Sequence, residues 1–321
     1  MTKKHQKHTK LKRRENENFA PNEIAILGTK CSIIVDFVQK MSKKLQKTAK
    51  IGYLDASHEN SVSELDYESF IFHHSGNLQT SVNAELNEYN ERIRFAQHDL
   101  VLINGNHYQG EKQILILDND KEASLKKRLS QITRIQFIIK LNDDSKYFDF
   151  LLEKFPHIKN IKSYSIHEED KIAKHINNLI QEKIAPVQGL VLAGGRSTRM
   201  GKDKTELEYH GKPQRDYATQ LLEKNLLNTY VSVAERQDDD SKIISDSFVN
   251  LGAFGAICSA FQYNPNKAWL VLASDLPFVN DDIIQLLLKN RNPKKMATAI
   301  KGNGKAFVEP LITIYEPKAY P

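Results

Sequence analysis

Apolar residues in this chain fall into short unbroken runs, separated by stretches where they recur every three or four positions. Glu23–Leu27, Lys50–Leu54, Leu100–Ile103, Gln113–Leu117 and Arg134–Ile139 are runs of strand length. After the first of them Ile34, Phe37, Val38, Met41 and Leu45 lie on one face of a 3.6-residue repeat, which predicts an amphipathic helix with Ser32 as its N-cap. Further helices are predicted at about Lys146–Phe155 and Glu168–Lys183. The rhythm then repeats. Val187–Ala193, Thr229–Ala234, Lys242–Ser245 and Ala268–Ser274 read as strands, the third a short edge strand. One helix opens at Gly211-Lys-Pro213 and buries Tyr217, Leu221 and Leu222; another follows Gly252-Ala-Phe-Gly255 and contains Ile257, Ala260 and Phe261. Met296–Ile300 and Phe307–Tyr315 predict two strands joined through a Gly302-Asn303-Gly304 turn.

Alternation of this kind builds parallel sheets covered by helices. The expected fold is α/β, two Rossmann-like three-layer domains with mostly parallel sheets. The helical pattern ends at Ile184-Ala-Pro186, which divides a first domain (21–184) from a second (187–321). Residues 1–20 are expected to form a basic disordered tail.

The net charge of +6 changes this picture little. Residues 1–14 carry seven lysines and arginines and no acid, so the rest of the chain is close to neutral. The tail lacks the interleaved aromatics of a single-strand binder, so nucleic acid is not an expected partner. No apolar run approaches the ~20 residues of a membrane span, and no membrane partner is expected. The two cysteines, Cys31 and Cys258, stand in no metal-ligand spacing and suit a reducing, cytoplasmic location. His58, His73, His74 and His107 likewise lack partners at ligand spacing and read as ordinary histidines.

Candidate chemistry concentrates after Val187. There a buried strand runs into a loop carrying Gly194, Gly195 and Gly201, interleaved with Arg196, Arg199, Lys202 and Lys204. Missing Cβ atoms let backbone N–H groups close on a ligand, and neighbouring cations suit phosphate oxygens. The spacing is not that of a Walker A loop: five residues separate Gly195 from Gly201-Lys202, and Asp203 stands where a magnesium-binding hydroxyl belongs. A second apolar strand, Ala268–Ser274, delivers Asp275-Leu-Pro277 at its carboxyl end. A carboxylate beside the basic loop would face the same phosphates and is the candidate Mg²⁺ ligand.

Leu192, Gly194, Gly195, Arg199, Met200, Gly201 and Lys204 match a nucleotidyltransferase signature, and the stretch resembles the molybdenum cofactor guanylyltransferases of the MobA family. The resemblance implies GMP transfer from GTP to the molybdenum cofactor (molybdopterin), with Mg²⁺ and release of pyrophosphate. It implies Arg199, Lys204 and Asp275 as catalytic residues, and Leu192, Ala193, Gly194, Gly195, Lys204, Asp246 and Asp275 as nucleotide-binding ones, with Asp275 on the metal. GTP and the cofactor are the implied partners, with molybdoenzymes or their chaperones beyond them. Gly252–Ile257 and Glu309-Pro-Leu311 match further family segments, but Ala253 and Ala256 replace a proline and a glycine, and a methyl at Ala256 would crowd a nucleotide packed there. By the same resemblance an Asn-x-Asn segment completes the metal site, and its position falls beyond Pro321, so the second domain is expected to lack its carboxyl-terminal end. The other readings of these residues are a different acceptor, CTP as the donor, or a non-catalytic platform for cofactor delivery.

The first half resembles the MobB-type P-loop proteins in its strand–turn–helix opening, in Tyr53-Leu-Asp55 and in Leu102–His107. Its first loop, Gly28-Thr-Lys-Cys-Ser32, has one glycine and no Gly-Lys-Ser/Thr, and is read as degenerate, without GTP hydrolysis.

Overall fold

The computed structural model describes residues 19–56, 69–73, 78–81, 88–193, 210–225, 227–234, 241–248 and 250–320. The chain divides into two compact units between Lys183 and Ile184. Most of the basic tail (1–18) lies outside the described residues, as do His58 and His74. Phe19 and Ala20, placed by the sequence reading in the tail, are buried, and Phe19 meets Tyr108 edge-on at 5.5 Å. No described helix is long and apolar enough to cross a membrane.

In the first unit the chain runs β1 (Glu23–Leu27), α1 (Cys31–Leu45), β2 (Ile51–Leu54), β3 (Ser69–Phe72), β4 (Leu78–Ser81), α2 (Glu88–Ala96), β5 (Leu100–Asn104) and β6 (Lys112–Leu117). It continues through α3 (Glu122–Lys126), β7 (Ile135–Lys140), α4 (Asp149–Lys154), β8 (Ser163–Ser165) and α5 (Glu169–Gln181). Six strands form one sheet in the order β2-β5-β1-β6-β7-β8, every pair parallel. Strands β3 and β4 pair apart from it, antiparallel.

The apolar runs are continuous because both faces of the sheet are covered. Ile114 and Ile116 of β6 point into a core with Ile34, Phe37 and Met41 of α1 and Ile172 and Ile176 of α5. Leu115 and Leu117 point the other way, onto Leu125 of α3 and Phe150 and Leu151 of α4. The expected N-cap is corrected: α1 begins at Cys31, Lys30 is its N-cap, and no side chain caps it. Ser32 therefore lies inside the helix, two residues past the cap position.

In the second unit the order is β9 (Val187–Leu192), α6 (Gln214–Lys224), β10 (Thr229–Val233), β11 (Ile243–Ser245), α7 (Gly252–Tyr263), β12 (Ala268–Ala273), α8 (Asp281–Lys289), β13 (Ala297–Ile300) and β14 (Glu309–Tyr315). The sheet order is β11-β10-β9-β12-β14-β13. Its first four strands are mutually parallel, and β14 and β13 close the other edge antiparallel. Helices α6 and α8 cover one face through Leu222, Ile284 and Leu287. Helix α7 covers the other through Ala260 and Phe261, which pack with Leu190, Trp269 and Val271. This is the expected mostly parallel α/β architecture, built twice.

Two glycines set close approaches in this unit. A Cβ on Gly189, in the middle of β9, would lie 2.6 Å from Thr229 Oγ1 and 3.0 Å from Leu222 Cδ1, so α6 settles onto β9 only over a bare Cα. Gly252–Gly255 is the first turn of α7 and not a loop ahead of it, as the sequence suggested. A Cβ on Gly255 would sit 2.4 Å from the carbonyl oxygen of Phe248, so this glycine lets the segment after β11 lie against the helix. Ala256 is buried at 5% exposure, and its methyl is part of the helix's buried face.

The end of the described chain is tied down by a buried ion pair. Arg291, just past α8, donates from Nε and Nη2 to the two carboxylate oxygens of Glu316 at 2.7 and 2.8 Å, and from Nη2 to the carbonyl of Ala185 at 2.6 Å.

Candidate functional site

In an open parallel sheet, ligands sit beyond the carboxyl ends of the strands. In the second unit four such ends are brought level by register: Leu192 of β9 lies opposite Ser232 of β10 and Ala273 of β12, and Val233 lies opposite Ser245 of β11. The chain leaving β9 is held at its first two residues. Ala193 N–H donates to the carbonyl of Ser232 at 2.9 Å. The carbonyl of Leu192 accepts from both the N–H (3.2 Å) and the Oγ (2.8 Å) of Ser274, which is 4% exposed. The residue that launches the glycine-rich loop is thus bonded directly to the one that precedes Asp275.

Asp275 itself is exposed, at the start of a tight turn. Its carboxylate therefore carries no burial cost at the sheet edge. The turn is gripped from the side of α6. His210 Nε2–H donates to the carbonyl of Pro277 at 2.9 Å, and its ring stacks on Tyr217 at 3.9 Å between centroids. Tyr217 OH donates in turn to the carbonyl of Val279 at 3.3 Å. Phe278, between these two carbonyls, is 92% exposed.

Asp246 follows the edge strand β11. Its Oδ1 accepts from Ser232 Oγ at 2.8 Å and its N–H donates to the carbonyl of Val233 at 3.0 Å. Burial pushes its carboxyl above the ordinary range, and the Ser232 hydroxyl only partly opposes this. Asp246 and Asp275 end strands three places apart, roughly 14 Å at ~4.8 Å per strand, so they do not share one ion. An extended ligand would lie between them.

Of the residues singled out by sequence, Leu192, Ala193, Asp246 and Asp275 are brought to one sheet edge; Gly194, Gly195, Arg199 and Lys204 lie outside the described residues. Ser232, Ser274 and His210 are not singled out as site residues by the sequence reading, and Tyr217 is read only as part of a buried helix face. Two of them carried a signal: Ser274 immediately precedes Asp275, and His210 precedes Gly211 at the mouth of α6. Among the described residues no cluster of three or more His, Cys, Asp or Glu side chains could hold a metal. Mg²⁺ is commonly held by one or two carboxylates together with substrate phosphates and waters, so an isolated exposed Asp275 suits that mode and not an all-protein cage.

A mostly parallel open sheet with an exposed aspartate on the strand beside β9, the strand that runs into the glycine-rich basic sequence, is an architecture suited to a nucleotide. Residues 189–321 match the model of the MobA-like NTP transferase domain. The molybdenum cofactor biosynthesis bifunctional protein of Synechocystis sp. is 30% identical over 166 residues, covering 50% of this chain and 48% of that protein. The molybdenum cofactor guanylyltransferase of Xanthomonas euvesicatoria pv. vesicatoria is 33% identical over 104 residues, covering 32% of this chain and 54% of that one. The chain thus spans about half the length of these two relatives. Among solved structures, molybdopterin-guanine dinucleotide biosynthesis protein A of Archaeoglobus fulgidus aligns at 24% identity with a TM-score of 0.34, over 41% of this chain and 68% of that one. A MobB homologue of Bacillus stearothermophilus aligns at 15% identity with a TM-score of 0.34, over 50% and 99%. The likeness to nucleotidyltransferases rests on the sequence match of residues 189–321.

Proposed function

We propose that the second unit transfers GMP from GTP to the molybdenum cofactor, with Mg²⁺ and release of pyrophosphate. The observation that carries this reading is the pair of hydrogen bonds from Ser274 to the Leu192 carbonyl, which holds the start of the glycine-rich segment beside Asp275. The signature residues in that loop and the names of the relatives support the choice of donor and acceptor.

In the proposed reaction the terminal phosphate of molybdopterin attacks the α-phosphorus of GTP in line. A P–O bond forms to the acceptor, the α–β bridging P–O bond breaks, and pyrophosphate departs. Such transfers ask a protein mainly for positioning and charge neutralisation. Amides of Gly194 and Gly195 hold the phosphates; Arg199 and Lys204 meet the charge that gathers on the leaving group. Asp275 would hold Mg²⁺, which when bound neutralises phosphate charge. The attacking group is already an anion, so no general base is assigned. Asp246, partly withdrawn from water, is assigned to a neutral donor of the nucleotide.

Thermal unfolding with each nucleoside triphosphate, with and without Mg²⁺, tests the reading on the parent chain and on Lys204→Ala and Asp275→Asn. A ligand at about a hundred times its Kd stabilises by roughly 2.7 kcal/mol. The expected result is a GTP-selective, Mg²⁺-dependent shift that both substitutions remove. A CTP-selective shift would replace the donor, and no shift with any nucleotide would sink the proposal for this chain.

A further inference from the structure

We propose that Cys31 in the first unit is an activated thiol that reacts with hydroperoxides, its neighbours His107 and Asp55 supplying the activation. This site is independent of the nucleotide chemistry assigned to the second unit.

Cys31 lies where the first sheet would present a ligand, at the carboxyl ends of β1, β2 and β5. The loop that leads to it has no room for a phosphate cradle of the usual kind. Gly28 has φ +103°, and a Cβ there would come within 2.2 Å of the Ile116 carbonyl. Thr29 turns inward, its hydroxyl donating to Asp118 Oδ2 at 2.7 Å, and both residues are 3% exposed. The next residues, Lys30 and Cys31, are the cap and first residue of the 15-residue helix α1.

The groups that meet the sulfur are donors. His107 Nε2 is 3.4 Å from Cys31 Sγ, and Asn106 Nδ2 is 3.5 Å away. The half-buried guanidinium of Arg128 is fixed by the carbonyl of Gly105 (3.4 Å) and Oδ1 of Asn106 (3.2 Å), and it acts electrostatically on Cys31. Cys31 is the first residue of α1, whose N-terminus adds the positive end of a helix dipole. Asp55 completes the arrangement. Its Oδ1 is 3.6 Å from the same His107 Nε2, and it is held by Tyr53 OH (2.7 Å), Asn104 Nδ2 (2.9 Å) and Ala56 N (2.8 Å).

Because sulfur and carboxylate face one nitrogen, this is not a relay in which the acid orients the far side of the ring. Nε2 is placed to take the thiol proton, with Asp55 beside it to offset the charge that the ring then gains. The titratable and charged groups around the sulfur and His107 are Asp55, which faces His107 and is held by Tyr53, and Arg128. The other cysteine provides the contrast: Cys258 is buried in α7, where burial pushes its thiol up and no donor set is built around it among the described residues.

The step balances with a hydroperoxide as oxidant. Sulfur attacks the distal oxygen, an S–O bond forms and the O–O bond breaks. Sulfur is oxidised to a sulfenic acid and the peroxide is reduced; the proton on His107 Nε2 goes to the departing oxygen, giving water when the oxidant is hydrogen peroxide. Cys31 is partly exposed, which leaves the sulfur reachable by a small oxidant.

Trapping with dimedone during exposure of the full chain to limiting hydrogen peroxide, followed by peptide mass spectrometry, tests the proposal. The expected adduct is on Cys31 and not on Cys258, forming about tenfold faster than on the same thiol in the unfolded chain. His107→Gln keeps a donor but cannot hold the proton, and should bring the rate down towards the unfolded value. Asn106→Ala, which leaves His107 in place, should lower it less; melting curves report whether each variant is folded. Equal labelling of Cys31 and Cys258, a Cys31 rate no higher than in the unfolded chain, or folded His107→Gln and Asn106→Ala proteins with the parent's rate would overturn it.

Discussion

Ser274 and Leu192, 82 residues apart in sequence, are joined by two hydrogen bonds to a single carbonyl oxygen, one of them from a hydroxyl that is almost wholly buried. The pair fixes where the loop after β9 starts relative to the turn that carries Asp275. Ser274→Ala removes the Oγ bond and leaves the backbone bond, so the stability loss should be about 1 kcal/mol in urea unfolding. If the pair positions the nucleotide site, the GTP-dependent shift should fall by more than this global loss explains. An undiminished shift would reduce Ser274 to a packing role.

The Arg291–Glu316 pair bears on stability alone. Both partners are largely buried, with side chains 15% and 2% exposed, and the guanidinium also holds the Ala185 carbonyl. Removing one partner leaves a buried charge without compensation, so Glu316→Ala should cost about 3–5 kcal/mol in denaturant unfolding. Arg291→Met with Glu316→Leu should recover most of that loss, since an apolar pair of similar volume avoids the desolvation cost. A loss below about 1 kcal/mol for the single variant would mean that water reaches the pair, as in exposed ion pairs.

These features differ in how far the sequence displays them. Strands such as β12 were legible because burial on both faces forces every side chain to be apolar, and Ala268–Ala273 is buried throughout. Helix α8 is absent from the sequence reading although its signal is present: Asn280 caps it by accepting from Ile283 N–H, acids fill the first turn, and Ile284 and Leu287, three residues apart, are buried. The strands β3 and β4 are four residues each and give no pattern long enough to separate from a loop. The candidate site divides similarly. Asp275 and the glycine-rich loop are readable because their residue types are unusual at the end of apolar strands. Ser274 and His210 meet their partners across 82 and 67 residues, through strand order and helix packing, and no local spacing encodes either contact.

Gly28 and Gly211 both have positive φ, yet they should respond differently to alanine. At Gly28 the added methyl meets the Ile116 carbonyl at 2.2 Å, whereas at Gly211 it meets nothing within 4 Å. Gly211→Ala therefore carries only the left-handed backbone cost, about 1–2 kcal/mol. Gly28→Ala adds a backbone clash that forces β1 and β6 apart, and should cost roughly 3 kcal/mol or more. Urea unfolding of the two variants against the parent gives the comparison, and similar losses at both sites would mean the loop after β1 yields freely.

Asp246 offers a prediction in which stability and function move in opposite directions. Burial raises its folded-state carboxyl above the ordinary value of 3.8, with the Ser232 hydroxyl opposing. A raised acid stabilises the fold fully below its unfolded value, and that contribution is lost as pH rises through the folded one. At neutral pH the parent therefore carries an ionised group that the fold disfavours. Asp246→Asn keeps an oxygen to accept from Ser232 but never ionises, so it should be more stable than the parent at pH 7. The difference should shrink as the pH falls towards and below 3.8. A residue kept at such a cost suits a nucleotide contact, and the same variant should show a smaller GTP-dependent shift despite its higher melting temperature. A variant that gains stability and keeps the full GTP response would remove Asp246 from the nucleotide site while leaving the assignment of the loop and Asp275 intact.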